Sequence, residues 1–343
     1  MLLPLSIKYG VSKANNSSFV SVIFHKANTV FSFRFVCLII GMGIMNVSKI
    51  AHFSGHKGSI FSLCAGLHQH TFFSGADDGY VVEWNMQTKG DGRLLVQVNR
   101  PVYSMFLNTN EQLLLCGTAS GNLHVIDLQS RKEIRNIEAH TLGVFDIQTV
   151  GNVVITAGGN GAVCIWDKHT LELLHALPAS NKSARVIAVH PNGKEFAVGF
   201  SDHHIRIFST ETFQQLFDIS AHTNSVFALT YSPDGMLLYS GGRDVMLKSW
   251  DVKNAFEGAL DIPAHTLHIN AISFSPNGNY YATVSMDKTV KIWDANTDIL
   301  LKVIDKQRND GHITSVNKLH WTSEDELITC SDDRTIMMWR IEC

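Results

Sequence analysis

Downstream of residue 48 the chain alternates apolar and polar residues in short runs, as in Ser225-Val-Phe-Ala-Leu-Thr-Tyr and Val290-Lys-Ile-Trp. A period of two turns one face of each run inward and the other outward, the mark of a short β-strand. Between runs stand Ser232-Pro-Asp-Gly, Ser275-Pro-Asn-Gly and His190-Pro-Asn-Gly. There Pro fixes φ and Gly accepts positive φ, so successive strands fold back on one another.

The pattern recurs along the chain. A bulky residue closing a short strand appears at Trp84, Ile126, Trp166, Phe208, Trp250, Trp293 and Trp339, at intervals of 40 to 46 residues. This spacing defines seven units of four strands. A four-stranded sheet of this size leaves two faces uncovered, and a ring of such sheets covers them by stacking blade on blade. The expected fold is all-β, a seven-bladed propeller of four-stranded antiparallel blades over residues 48–343. The last unit ends one strand short. Residues 49–53 precede His56 as residues 215–219 precede His222, so an N-terminal strand is expected to complete the last blade and close the ring.

Polar residues travel with the closing aromatic. Six positions before it stand Asp78, Ser120, Asn160, Asp202, Asp244, Asp287 and Asp333; ten before it stand Ser74, Cys116, Thr156, Val198, Ser240, Thr283 and Thr329. Five units add a histidine further upstream, His56, His140, His222, His265 and His312. Those five also hold the hydroxyl, the Asp or Asn, and Trp84, Trp166, Trp250, Trp293 or Trp339. Units two and four lack the histidine and carry Cys116 or Val198 in place of the hydroxyl and Ile126 or Phe208 in place of Trp. A chain of hydrogen bonds from carboxylate to imidazole to hydroxyl to indole explains the coupling, because a buried imidazole or indole without a partner costs about 1–3 kcal/mol. Asp, His and Ser also make a hydrolase triad, but five copies around a ring cannot all be active sites, and no G-x-S-x-G elbow occurs. No catalytic residue is assigned.

Ala264-His265 with Ile292-Trp293-Asp294, and Ala221-His222 with Ser249-Trp250-Asp251, resemble the Gly/Ala-His to Trp-Asp signature of the WD-repeat family. The resemblance spans all seven units and implies that the polar sets are structural tetrads. It also implies that the loop before each innermost strand and the tight turn before each closing strand emerge on one face. Just after the first apolar residue of the innermost strand come Phe61, Tyr103, Phe145, Ile187, Phe227, Asn270 and Asn317. Two positions earlier stand Ser59, Pro101, Gly143, Arg185, Ser225, His268 and Ser315, and before the turn Asp stand Asp77, Ala119, Gly159, Ser201, Arg243, Met286 and Asp332. From these, the expected protein-binding residues are Phe61, Asp77, Tyr103, Phe145, Arg185, Phe227, Arg243, His268, Met286, Asn317 and Asp332. Aromatics and Arg are the usual anchors of interfaces, although the same rings could instead pack between blades at the channel mouth. The seventh unit is longer by residues 306–310, expected on the same face as a contact or as solvated charge.

Residues 1–47 differ in texture. Residues 35–45 match the core of a signal peptide in length and are too short to span a bilayer, but no small-x-small cleavage site follows. The stretch fits an unstructured leader, or an over-long start with Met45 as initiator, better than a secretory signal. The 343 residues carry a net charge of −3 with no dense basic run, which disfavours nucleic acid. The cysteines at 37, 64, 116, 164, 330 and 343 form no C-x-x-C pair, so reduced thiols and a cytoplasmic location are expected. His203-His204 and His68 with His70 lack metal-ligand spacing, and Gly41 and Gly43 do not complete a phosphate loop. Neither cofactor nor metal is expected. The Asn-x-Ser sites at Asn15, Asn16, Asn46 and Asn181 matter only in a secreted chain.

The resulting expectation is a non-catalytic scaffold for protein or peptide partners, without membrane or nucleic acid, acting as a monomer or as a subunit of a larger assembly. The alternative is a propeller enzyme or small-ligand binder that uses the central channel. That would require convergent acids or bases at channel-facing positions, and the seven innermost-strand positions Phe61, Tyr103, Phe145, Ile187, Phe227, Asn270 and Asn317 offer none.

Overall fold

The computed structural model describes residues 7–14, 17–26, 29–35, 45–90 and 92–342, which divide into two units. In the first, strands Ile7–Ala14, Ser17–Lys26 and Thr29–Phe35 form an antiparallel sheet in sequence order. This is the segment whose texture suggests an unstructured leader. Gly41, Gly43, Cys37, Cys343, Asn15 and Asn16 lie outside the described residues.

The second unit, Val47–Glu342, consists of seven four-stranded antiparallel sheets. Six are built from consecutive strands, beginning with Ile60–Ala65, Thr71–Ala76, Tyr80–Asn85 and Arg93–Gln97. The seventh takes Val316–Trp321, Glu326–Ser331 and Thr335–Glu342 from the end of the chain and Asn46–Ser54 from its beginning. The closing strand is thus longer than the five residues expected. Its apolar side chains Ala51 and Phe53 are buried with Phe72 and Trp84 of the first blade and Ile328, Ile336 and Met338 of the last. Removing it would expose one edge of the last blade and uncover this cluster.

The core is distributed between blades. One cluster joins Val81 and Phe73 of blade one to Leu114 and Ile126 of blade two. Another joins Ile155 and Val163 of blade three to Phe196 and Phe208 of blade four. The middle strands bear these contacts and are the most buried, as with Glu195–Phe200, whose last five residues are all buried. The outermost strands, such as Lys132–Glu138, face solvent. This gradient produces the alternation along the chain.

Each innermost strand contains a β-bulge near its start. In blade one Ile60 pairs with Ala76 and Ser62 with Gly75, leaving Phe61 as the extra residue. Equivalent shifts leave Tyr103, Phe145, Arg185, Phe227, Asn270 and Asn317 between paired neighbours. A bulge re-aims the extra side chain, and here it sends seven side chains to one end of the channel.

The longer seventh unit forms one helical turn, Lys306–Asn309, whose N-cap Asp305 accepts the Arg308 amide at 2.7 Å. This turn braces the closing strand. Lys49 donates to the Asp310 carbonyl at 2.8 Å and pairs with its carboxylate, and Asn309 Nδ2 donates to the Val47 carbonyl at 3.3 Å. The insertion is therefore a brace for ring closure, and solvation alone does not describe it.

Candidate functional site

Five blades carry the four-residue network. In blade six the Trp293 indole N–H donates to Thr283 Oγ1 at 3.0 Å, Thr283 Oγ1 lies 2.8 Å from His265 Nε2, and His265 Nδ1 lies 2.9 Å from Asp287 Oδ2. The indole only donates, so the hydroxyl accepts from it and donates to Nε2, which leaves the ring proton on Nδ1 facing the carboxylate. Blades one, five and seven repeat this through Trp84, Ser74, His56 and Asp78, through Trp250, Ser240, His222 and Asp244, and through Trp339, Thr329, His312 and Asp333. In blade three Asn160 replaces the carboxylate, 3.1 Å from His140 Nδ1, with Thr156 and Trp166 completing the set.

Burial opposes the charged form of each titratable group in the network. It pushes the His56, His140 and His265 imidazoles below their ordinary range despite the acceptor on Nδ1. For Asp244 burial works in the opposite direction to its hydrogen bonds, but those from His222 and the Thr223 amide prevail and hold the carboxyl at about 2. Asp287 and Asp333 are lowered in the same way. In blades one, three, five, six and seven the network fastens the loop before the innermost strand to the tight turn, through a carboxylate in four of them and through Asn160 in blade three.

The irregular blades manage differently. In blade two Val98, Cys116 and Ile126 are buried, and Ser120 bonds to Asn122 Oδ1 instead. In blade four Ser180 Oγ donates to Asp202 at 2.7 Å and Arg206 Nη1 does so at 2.9 Å.

The loops converge on one face in every blade. The amide before the turn residue donates to the carbonyl just upstream of the innermost strand: Asp77 to Ser59, Ala119 to Pro101, Gly159 to Gly143, Arg243 to Ser225, Met286 to His268 and Asp332 to Ser315, all between 2.8 and 3.1 Å. In blade four the pair is Ser201 and Ser183. The expected frame for that blade is therefore two residues late. Ala184, too small to read as the first apolar residue, pairs with Phe200 and begins the strand. Arg185, expected two positions earlier, takes the bulge position, while Ile187 is buried between blades.

At the channel mouth the bulge side chains touch in series. Phe61 and Tyr103 meet edge to face at 5.4 Å, and Tyr103 stacks on Phe145 at 5.5 Å. The Arg185 guanidinium lies 4.2 Å from the centre of Phe145 and 5.6 Å from that of Phe227, whose edge meets His268 at 5.3 Å. The circuit closes through amides. Asn270 Nδ2 donates to Ser315 Oγ and the Val316 carbonyl, and Asn317 Nδ2 donates to the Ile60 carbonyl at 2.9 Å and Asp332 at 2.8 Å. These rings are half-buried, so they pack against one another and still line an open cavity of about 330 Å3 with Arg185, His268, Asn270, Asn317 and Lys318. Asp77, Arg243, Met286 and Asp332 stand exposed around it.

Several residues on these loops escape the sequence argument. Leu142, Leu267 and Ile313, one or two positions after the network histidines, are exposed. Leu142 has its Cβ beside Gly159, as Phe145 has its ring. The channel below the mouth also contains an acid and an amine. In blades three to seven the residue after the bulge lines the channel, which puts Asp146 and Lys318 in a cavity with Gln148, Ala228 and Ala271. The expectation that no ionisable group faces the channel is thus corrected: the bulge shifts the inward register by one residue. Burial raises the Asp146 carboxyl, opposed by the Lys318 charge and by the Ile187 and Ile147 amides, which donate to it at 2.8 and 2.9 Å.

Elsewhere, His203 and His70 occupy turns at positive φ, and His204 pairs with Asp218. Among the described residues no group of three or more His, Cys, Asp or Glu is placed to hold a metal, and no helix is long and apolar enough to cross a membrane.

A seven-bladed propeller whose blades are fastened by Trp, Ser or Thr, His and Asp defines a repeat-built β-propeller class. The WD40 family (WD domain, G-beta repeat) matches residues 47–85, 131–167, 171–209, 213–251, 259–294 and 305–340, which is more than half of the chain, and the chain belongs to it. The stretch between 85 and 131 is unmatched and contains the three inner strands of blade two, where Val98, Cys116 and Ile126 replace the network. WD repeat-containing protein 90 of Homo sapiens is 30% identical over 171 residues, 48% of this chain and 10% of that protein. Striatin-3 of Bos taurus is 23% identical over 235 residues, 61% and 29% of the two chains, and transcription factor unc-37 of Caenorhabditis elegans is 22% identical over 217 residues, 62% and 35%. The chain spans about a third or less of the length of these curated relatives. Members of the family generally serve as protein-interaction scaffolds and are typically non-catalytic.

Proposed function

We propose that this propeller is a non-catalytic scaffold that holds a protein or peptide partner on the face bearing the channel mouth. The observation that carries this reading is the continuous half-buried circuit from Phe61 through Tyr103, Phe145, Arg185 and Phe227 to His268. It is surrounded by exposed Leu142, Leu267, Met286 and Ile313 and by the charges of Asp77, Arg243 and Asp332. An aromatic and Arg centre inside a mixed rim has the composition of an interface hot spot. Asn317 and Asp332 bond to each other and contribute shape more than free donors. The propeller works as a monomer or as one subunit of an assembly, and the unpaired Cys64, Cys116, Cys164 and Cys330 among the described residues suit the cytoplasm.

The test is affinity purification of the full chain beside a Tyr103→Ala, Phe227→Ala, Arg243→Ala variant with an unchanged melting temperature. Partners of the mouth are lost from the variant. Retention of every partner moves the binding surface elsewhere.

A further inference from the structure

Arg185 breaks the pattern of the mouth it belongs to. Of the other bulge positions, four are aromatic, and Asn270 and Asn317 give their amide protons to neighbouring blades. Arg185 alone brings a charge to that circle. Its Nε donates to Ser201 Oγ at 2.9 Å and its plane is held between the Phe145 and Phe227 rings. Its remaining nitrogens have no hydrogen-bond partner among the described residues, and no carboxylate of those residues lies within ion-pair distance. A half-buried guanidinium stacked on aromatics, with its fork directed at a cavity and no counter-charge, is an incomplete ion pair.

The charge balance of the cavity selects the missing partner. Lys318 lines the same mouth, but it also lines the channel beneath, together with Asp146, whose two oxygens accept the Ile147 and Ile187 amides. Among the described residues that line the mouth this leaves Arg185 as the one cation without an acid beside it, so a monoanion completes the site, whereas a dianion such as a phosphoryl group would bring surplus charge toward Asp146 below and the rim carboxylates Asp77 and Asp332. A planar carboxylate matches the planar guanidinium fork with two parallel hydrogen bonds. The Phe61, Tyr103 and Phe145 rings offer an apolar surface beside it.

We propose that the mouth recognises the side-chain carboxylate of an Asp or Glu in a partner protein, seated on Arg185, with an adjacent apolar side chain on the Phe61–Tyr103–Phe145 rings. This rests on the scaffold reading above and names the chemistry that the mouth selects.

The test pans a phage-displayed library of random linear heptapeptides on the full chain, on Arg185→Met, on Arg185→Lys and on Tyr103→Ala, Phe227→Ala, each shown to be folded by its melting curve. The wild type should enrich peptides with an acid at one fixed position. A synthetic peptide from that pool should bind about tenfold tighter than its amide counterpart. Arg185→Met should erase this preference, and Arg185→Lys, which keeps the charge without the fork, should retain part of it. Enrichment without a fixed acid, an acid preference that survives Arg185→Met, or tighter binding of a phosphoserine replacement overturns the proposal. In those cases the mouth remains the partner site if the double aromatic variant loses binding. Peptides that bind the double variant as well as the wild type, or a pool that enriches nothing, count against both readings.

Discussion

Replacing His265 with Ala tests whether the buried network fastens the blade. The imidazole has no exposed surface, and its removal deletes the acceptor for the Thr283 hydroxyl and the donor to Asp287. The bond to the ionised acceptor is worth about 1.5–3 kcal/mol and the neutral one about 0.5–1.5 kcal/mol. The vacated ring volume adds a cavity cost. Asp287 keeps the amides of Thr266 and Thr289 and the Thr289 hydroxyl, so the carboxylate is not stranded. With the low ends of the two bonds, about 2 kcal/mol together, and about 1 kcal/mol for the cavity, the loss should be about 3 kcal/mol. In a propeller of this size that lowers the melting temperature by about 5 °C. Differential scanning calorimetry of His265→Ala, Asp287→Ala and the double variant measures it, and the cycle should show a coupling of about 1.5–3 kcal/mol. An additive cycle or an unshifted melting temperature refutes the network. A fully folded His265→Ala that loses its partner refutes the purely structural role.

Three further outcomes follow from the same geometry. Stability should be greatest above pH 6.5 and fall below it, since unfolded histidines take up protons near 6.5 while His56, His140 and His265 resist until lower pH. A second loss follows from 3.8 down to about 2, as the bonds to ionised Asp244 disappear; a melting temperature flat from pH 7 to 3 contradicts both. Deleting residues 1–44 should leave the melting curve unchanged, whereas deletion through Phe53 should remove the closing strand and aggregate the protein, so equal stability of the two truncations argues against this closure. Gly158→Ala would place a methyl 2.0 Å from His140 Nδ1 and 2.4 Å from Asn160 Oδ1, costing about 1–3 kcal/mol in a thermal melt; a variant as stable as wild type means that the loop is not fastened there.

The number of blades and the membership of each network are legible in the sequence because both repeat. A two-residue strand period and a recurring Trp with its Asp, hydroxyl and His leave little freedom in how such sheets are arranged. The mouth is less legible, since a bulge adds one residue without changing local composition. In blade four the first paired residue is Ala184 and the next apolar residue is Val186, so reading by hydrophobicity assigns Ile187 to a position that Arg185 occupies. The same bulge hides Asp146 and Lys318, which only a one-residue shift turns toward the channel. The bracing of Asn46–Ser54 by Asp310 joins opposite ends of the chain and leaves no local pattern to detect.

The division between network and mouth explains how such a ring can diversify. The backbone bond that positions each bulge keeps nearly the same length in all seven blades, including blade four, where Ser180 and Arg206 on Asp202 stand in for the histidine and Trp. Loop geometry is thus secured behind the mouth, and the side chain at the bulge varies from Phe to Tyr, Arg or Asn without altering it. An Arg in a circle of rings then costs the fold little beyond its own desolvation, a cost that a bound carboxylate would offset. The most informative residue of the surface is accordingly the one that fits the repeat least well, and it lies in one of the two blades where the repeated network itself has been replaced.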